Sequence, residues 1–95
     1  MAHSSTPHVF TLYGTSACHL CEQARALFLT IVPAELARLH EVDISASDDL
    51  LACYGQRIPV LCGLGPSGEK HELGWPFDAV AVGEFVDALL DETAI

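Results

Sequence analysis

Basic residues are scarce in this 95-residue chain, where four Lys and Arg stand against thirteen Asp and Glu, for a formal net charge of −9. A phosphate backbone would be repelled by this excess of negative charge, which makes nucleic-acid binding a poor hypothesis. The acidic residues are scattered along the chain and do not form a tail. This distribution is typical of a solvated surface that aids solubility, and a preference for a basic partner is the other interpretation.

Long apolar runs are also absent. Pro, Gly or charged residues interrupt every hydrophobic stretch well before the roughly 20 residues that a membrane span requires. The first eight residues have neither the basic start nor the apolar stretch of a secretory signal, so we expect a cytoplasmic location. With no internal repeat or linker, the sequence predicts one globular domain over residues 8–95, preceded by a flexible N-terminus, residues 1–7.

The sequence does contain alternating strand and helix patterns. β-branched and aromatic residues over 8–13 predict a strand, and apolar residues from Leu20 onward recur at helical intervals over 18–32. The later patterns predict a helical turn at 34–38, a strand at 39–44, a short helix with an apolar face of Leu50, Leu51 and Tyr54, strands at 57–62 and 69–73, and a last helix after Asp78.

The order of these elements, β-α-β-α-β-β-α, predicts an α/β protein with the thioredoxin fold, a four-stranded mixed sheet flanked by three helices. A crossover of the predicted length joins parallel strands with a right-handed turn. The Gly-rich segment 63–68 predicts an antiparallel hairpin between the last two strands. Because proline lacks the N–H that a central strand would use, Pro59 is expected at the start or the edge of its strand.

Cys18 and Cys21 lie where the first strand gives way to the first helix. At a helix N-terminus, free N–H groups and the positive end of the dipole favour a thiolate, so we expect the pKa of Cys18 to fall from about 8.5 toward neutrality. Side chains three apart on a helix are roughly 5–6 Å apart, within reach of a disulfide. The spacing therefore predicts a reversible disulfide in which Cys18 is the nucleophile and Cys21 resolves the mixed disulfide.

Three segments together resemble small bacterial glutaredoxin-like proteins: Leu-Tyr-Gly-Thr-Ser-Ala-Cys-His-Leu-Cys-Glu-Gln-Ala at 12–24, Arg-Ile-Pro-Val-Leu at 57–61, and Trp-Pro-Phe-Asp at 75–78. The resemblance implies a thiol-disulfide oxidoreductase. In the thioredoxin superfamily, the proline that matches Pro59 is cis and packs beside the active disulfide. By the same resemblance, the backbone of Ile58 would pair with the substrate chain.

Several positions differ from the usual glutaredoxin pattern. Glutaredoxins typically carry a lysine before the first cysteine and Pro-Tyr between the two, whereas this chain has no such lysine and places His19-Leu20 there. We therefore expect no tightly bound cofactor, with glutathione as a candidate electron donor whose carboxylate Arg57 could receive. A protonated His19 would stabilise the Cys18 thiolate, and Trp75 is a candidate wall of the substrate groove.

The expected partners are a disulfide-containing protein or a small thiol, and the expected state is a monomer. Two alternatives use the same residues. The first is a non-catalytic binding module that holds a protein through the Ile58-Pro59 edge and the Trp75 loop. The second is a zinc or iron–sulfur site, because C-x-x-C is half of a tetrahedral metal site. For such a site the remaining ligands, Cys53, Cys62, His40 and His71, lie on elements that need not converge.

Overall fold

The computed structural model describes residues 8–65 and 68–93, with side chains described through residue 90. The predicted N-terminal segment, residues 1–7, lies outside the described residues. In chain order the elements are β1 (His8–Gly14), α1 (His19–Ile31), β2 (Ala37–Asp43), a short 3-10 helix (Ile44–Ala46), α2 (Asp48–Tyr54), β3 (Val60–Leu64), β4 (Lys70–Gly74) and α3 (Ala79–Thr93).

The strands form one mixed sheet in the order β2-β1-β3-β4. β1 pairs with β2 in parallel, and the β1–β3 and β3–β4 pairs are antiparallel. This architecture confirms the predicted thioredoxin fold. Pro59 immediately precedes β3, at the start of the strand as its missing N–H requires.

Two apolar clusters hold helices against opposite faces of the sheet. The larger cluster packs α1 and α3 on one face, and its members with less than 4% exposure are Phe10, Leu12, Ala24, Phe28, Ala37, Leu61, Val82, Val86 and Leu89. The smaller cluster packs α2 on the other face and consists of Ile44, Tyr54, Val60 and Cys62. α1 is therefore anchored along its length, which fixes the position of the two cysteines at its start.

The structure corrects three local predictions. Residues 34–36 form a tight turn, not a helical turn extending to residue 38, because Ala37 already pairs with His8 in the parallel ladder. Ile44 belongs to the 3-10 helix and not to β2. Leu20 and Leu51, predicted on apolar helix faces, are each 42% exposed, because neither faces the sheet.

The last helix begins as predicted. The carboxylate of Asp78 accepts a hydrogen bond from the Ala81 N–H at 2.9 Å, which satisfies one of the free donors in the first turn of α3. Across the described residues, none of the helices is long and apolar enough to cross a membrane.

A polar cluster connects α2 to β4. The Tyr54 hydroxyl donates to the Glu72 carboxylate at 2.9 Å, and the Arg57 guanidinium donates to the same carboxylate at 3.2 Å. The hydrogen bond from Tyr54, followed by the bond and charge of Arg57, lowers the pKa of Glu72. Burial and the Glu72 carboxylate raise the pKa of Tyr54.

Replacing Glu72 with Gln is expected to lower the free energy of unfolding at pH 7 by about 1 kcal/mol, a value that allows for solvent screening of this partly exposed carboxylate. The folded-state pKa is lowered, so the stabilisation is present above the unfolded pKa and is lost as the pH falls through the folded pKa. Urea unfolding of both proteins at pH 7 and pH 3 measures this. A difference of equal size at both pH values would contradict the electrostatic explanation.

Candidate active site

Cys18 and Cys21 form a disulfide, with Cα atoms 5.1 Å apart. Cys18 is the N-cap residue of α1 and has an extended backbone, whereas Cys21 lies within the first turn and is 8% exposed. The helix thus presents one half-buried sulfur at its tip and holds the second sulfur beneath it.

The sulfur of Cys18 has a hydrogen-bond donor of its own. The Cys21 N–H donates to Cys18 Sγ at 3.0 Å, taking the place that a Ser or Asp oxygen usually fills at a helix start. A donor and the positive helix end at this sulfur stabilise negative charge there. The arrangement suits a thiolate nucleophile at Cys18.

Gly14, the last residue of β1, lies directly against the disulfide. A Cβ at this position would come 2.6 Å from Cys21 Sγ and 3.1 Å from Cys21 Cβ, closer than atoms can pack without movement. The absence of a side chain at Gly14 therefore allows the helix start to rest on the end of the strand.

Replacing Gly14 with Ala is expected to move the start of α1 and to destabilise the oxidised protein by about 1–3 kcal/mol, as overpacking of a core does. The matched control is Gly74→Ala, because a Cβ at Gly74 meets nothing within 4 Å. Thermal unfolding of the two variants measures the difference. Equal melting temperatures would show that the strand end and the helix are not in the close contact described.

Pro59 lies at the same end of the sheet as the disulfide. The antiparallel ladder pairs Tyr13 with Val60, and the next step along both strands places Pro59 beside Gly14. The Ile58–Pro59 and Trp75–Pro76 peptide bonds are both cis. The Trp75 N–H donates to the Pro59 carbonyl at 3.2 Å, so the structure brings these two predicted site residues together.

The other predicted residues have different surroundings. His19 is exposed as the first residue of α1, next to Cys18. Ile58 is half-buried and packs against the smaller apolar cluster. The Arg57 guanidinium donates to the Cys53 carbonyl at 3.2 and 3.3 Å and to Glu72, which groups it with α2 and β4.

A cavity of about 170 Å³ lies beside Cys21, between the end of β1 and the end of β2. It is lined by Leu12, Gly14, Thr15, Ser16, Cys21, Glu41, Val42 and Asp43. Both carboxylates already have partners in the chain. Glu41 forms an ion pair with Arg25 at 3.0 Å, and Asp43 caps the 3-10 helix by accepting a hydrogen bond from the Ser45 N–H. Hydrogen bonds from the Ser45 hydroxyl and N–H lower the pKa of Asp43.

Sequence reasoning did not identify this cavity. The available signal was the parallel β1–β2 pairing, because the carboxyl ends of neighbouring parallel strands meet at one edge of a sheet. That rule would have placed 41–43 beside the cysteine-bearing loop.

The remaining cysteines are free thiols, Cys53 exposed and Cys62 buried. Burial, and then the nearby Glu72 carboxylate, raise the pKa of Cys62, which keeps it protonated. Within residues 8–65 and 68–90, no three His, Cys, Asp or Glu side chains are placed to hold a metal ion.

Comparison with known proteins identifies relatives of this chain. A family described as "Glutaredoxin-like domain (DUF836)" matches residues 9–87. The crystal structure of protein XcR50 from X. campestris, a structural genomics target, is 38% identical and superimposes with a TM-score of 0.67. The match covers 83% of this chain and 96% of that one. No curated protein matches significantly.

Proposed function

We propose that this chain, which belongs to the glutaredoxin-like domain family (DUF836), is a thiol-disulfide oxidoreductase that uses Cys18 and Cys21. The observation that carries the proposal is the disulfide at the start of α1, with the Cys21 N–H directed at Cys18 Sγ. A structural disulfide needs no such donor at the sulfur, whereas a thiolate that must form and leave reversibly benefits from one.

The reaction begins from the reduced pair. The Cys18 thiolate attacks one sulfur of a substrate disulfide, a Cys18–substrate bond forms, and the other substrate sulfur leaves as a thiolate with the electron pair of the broken bond. The Cys21 thiolate then attacks Cys18 Sγ and releases the second substrate thiolate. The substrate disulfide is thereby reduced to two thiols, which take protons from water, and Cys18 and Cys21 are oxidised to the disulfide seen here.

Neighbouring residues supply the substrate surface in this proposal. The Ile58–Pro59 segment lies at the end of the sheet where Gly14 meets the disulfide, and Trp75 is bonded to Pro59. An extended substrate segment alongside Ile58 would have its disulfide near Cys18. His19, when protonated, would add positive charge beside the thiolate.

A thiol reductant must return the pair to its reduced form. Glutathione is one candidate electron donor and a protein dithiol is the other. We place the activity in the cytoplasm, because a reducing compartment maintains the thiol pair that starts the cycle. We expect the protein to act as a monomer. The Arg57 guanidinium would have to leave Glu72 or the Cys53 carbonyl before it could receive the carboxylate of glutathione.

The test is turnover of a disulfide substrate with two different reductants. Hydroxyethyl disulfide reduction is followed with glutathione, and insulin reduction is followed with dithiothreitol, each with and without the protein. Catalysis in either assay supports the proposal. A protein that accelerates neither reaction would contradict the proposal and favour the two non-catalytic alternatives, a binding module or a metal site.

A further inference from the structure

The two faces of the sheet are covered unequally. α1 and α3, of 13 and 15 residues, cover one face. In the described part of the chain, the other face carries α2, of seven residues, and the 3-10 helix that precedes it. α2 lies over the end of β1 that leads to the disulfide, where the Tyr13 ring stacks on the Tyr54 ring with centroids 4.3 Å apart. Across residues 8–65 and 68–93, no helix lies over the opposite end of this face, where Val9 and Leu64 are exposed.

The uncovered end contains one row of side chains across all four strands, which we call the open row: Arg38, Val9, Leu64 and Lys70. Val9 lies on the α2 side because side chains alternate along β1 and Tyr13 points to that side. The parallel ladder pairs Arg38 with Val9, and the β3–β4 ladder pairs Leu64 with Lys70. Continuing the β1–β3 register by two residues from Thr11–Cys62 places Val9 beside Leu64.

The open row has an apolar centre and cationic edges. Val9 and Leu64 are each 57% exposed, at the centre of a sheet face where large apolar residues are normally covered. Arg38 has no salt bridge to any side chain in the described part of the chain. Lys70 Nζ reaches back toward α2, 2.9 Å from the Tyr54 hydroxyl.

Half of the basic residues of the chain belong to the open row. The sequence has four Lys and Arg residues. Arg38 and Lys70 lie in the open row, whereas Arg57 lies 5.0 Å over the Tyr54 ring, at the end of the face that α2 covers, and is paired with Glu72. The fourth, Arg25, lies on α1 and is paired with Glu41. In a chain with a net charge of −9, the cations that flank Val9 and Leu64 are therefore Arg38 and Lys70.

We propose that the open row is a docking surface for an acidic amphipathic helix of another protein. The apolar stripe of that helix would cover Val9 and Leu64, and carboxylates on either side of the stripe would meet Arg38 and Lys70. The row spans three strand spacings, about 14 Å, and a helix with side chains is about 10–12 Å wide. Acidic side chains at both edges of one helix would therefore reach Arg38 directly, and Lys70 once its ammonium turns from the Tyr54 hydroxyl to the partner.

This inference goes beyond the proposed redox function and does not depend on it. The open row lies toward the start of β1, and the disulfide lies past its end. A partner could therefore occupy the row while Cys18 remains accessible. The arrangement would allow a protein substrate to be held at one place and react at another.

The test is an NMR titration of the full 95-residue chain, labelled with ¹⁵N, with a synthetic 18-residue helical peptide. The peptide has a Leu stripe flanked by Glu, and a matched peptide has Gln at every Glu position. We expect the Glu peptide to shift resonances of Val9, Arg38, Leu64 and Lys70, and to bind at least about fivefold tighter than the Gln peptide.

Two variants identify the surface. Arg38→Glu is expected to weaken the Glu peptide about three- to tenfold, because it replaces an attraction with a repulsion. Arg25→Glu is the matched control, a cation on α1 whose replacement should leave the affinity unchanged. Both variants should exchange disulfides with hydroxyethyl disulfide at the wild-type rate, so a failure of docking is distinguished from a failure of the redox function.

Three results would overturn the proposal. The first is equal affinity for the Glu and Gln peptides. The second is a set of resonance shifts that map to α3 or to the disulfide end, and the third is the absence of resonance shifts at millimolar peptide. A fourth result also counts against it: if the open-row resonances move when the protein alone is diluted, the surface is occupied by a second copy of this chain.

Discussion

Replacing Cys18 with Ser is expected to reduce the rate of disulfide exchange by more than about a thousandfold, because a hydroxyl does not ionise at neutral pH and is a far weaker nucleophile than a thiolate. Replacing Cys21 with Ser has a different effect. The first attack by Cys18 still occurs, but the resolving thiol is gone, so the mixed disulfide accumulates. The two substitutions therefore distinguish the two roles that the geometry assigns.

The measurement is mass spectrometry of each variant after mixing with an excess of a small disulfide, with quenching by acid. Cys21→Ser should carry the added half-disulfide on Cys18 within the time that the wild type needs for one turnover. Cys53→Ser is the matched control, an exposed free thiol outside the pair, and should behave as the wild type. If the Cys18→Ser variant instead forms the mixed disulfide on Cys21 at the wild-type rate, the assigned roles of the two cysteines are reversed.

Replacing Phe28 with Ala is expected to lower the free energy of unfolding by about 3–5 kcal/mol. Phe28 is 1% exposed, and its ring centroid lies 5.6 Å from that of Phe10 in β1. The truncation removes buried apolar surface and leaves a cavity between α1 and the sheet. For a small domain that is stable by about 5–15 kcal/mol, such a loss is a large part of the total.

The next residue of the same helix provides the control. Leu29 is 52% exposed, so Leu29→Ala should change the free energy of unfolding by less than about 0.5 kcal/mol. Urea unfolding of both variants, with the disulfide intact, measures the contrast. Similar losses for the two would mean that α1 is not packed on the sheet through the Phe28 side.

The fold was predictable because its elements follow local rules. β-branched runs bounded by Gly or Pro predicted the strands. In α1, the four-residue spacing of Ala24 and Phe28 predicted the face that packs on the sheet, and Val82 marked the corresponding face of α3. The missing N–H of Pro59 and the carboxylate of Asp78 gave one strand start and one helix start. The placement of Cys18 at a helix N-terminus followed from the change, at this point of the sequence, from a strand pattern to a helix pattern.

The features that were missed depend on packing between distant segments. Helical periodicity places Leu20 and Leu51 near the apolar face, but only the crossing of each helix on the sheet decides which residue at the border is covered. The turn at 34–36 ends where the parallel ladder begins, and the start of that ladder is set by pairing with His8. Such registers are not visible in a single segment.

The polar cluster around Glu72 shows the same limit at the level of side chains. Tyr54, Arg57 and Glu72 come from α2, a loop and β4, and the sequence separates the outer members by 18 residues. Arg57 was predicted as a candidate carboxylate receiver, and it does contact a carboxylate, but one from its own chain. Its role toward a substrate stays a prediction.

The proposed function requires that the Cys18–Cys21 bond forms and breaks within the range of biological thiol carriers. Equilibration of the protein in graded redox buffers, followed by thiol alkylation and mass measurement, gives the midpoint potential of the pair. We expect a midpoint between about −120 and −270 mV, the span of known thiol carriers. A pair that stays fully reduced in every buffer would contradict the proposed function. A pair whose midpoint lies below about −300 mV would also contradict it, because such a disulfide resists reduction by biological thiols.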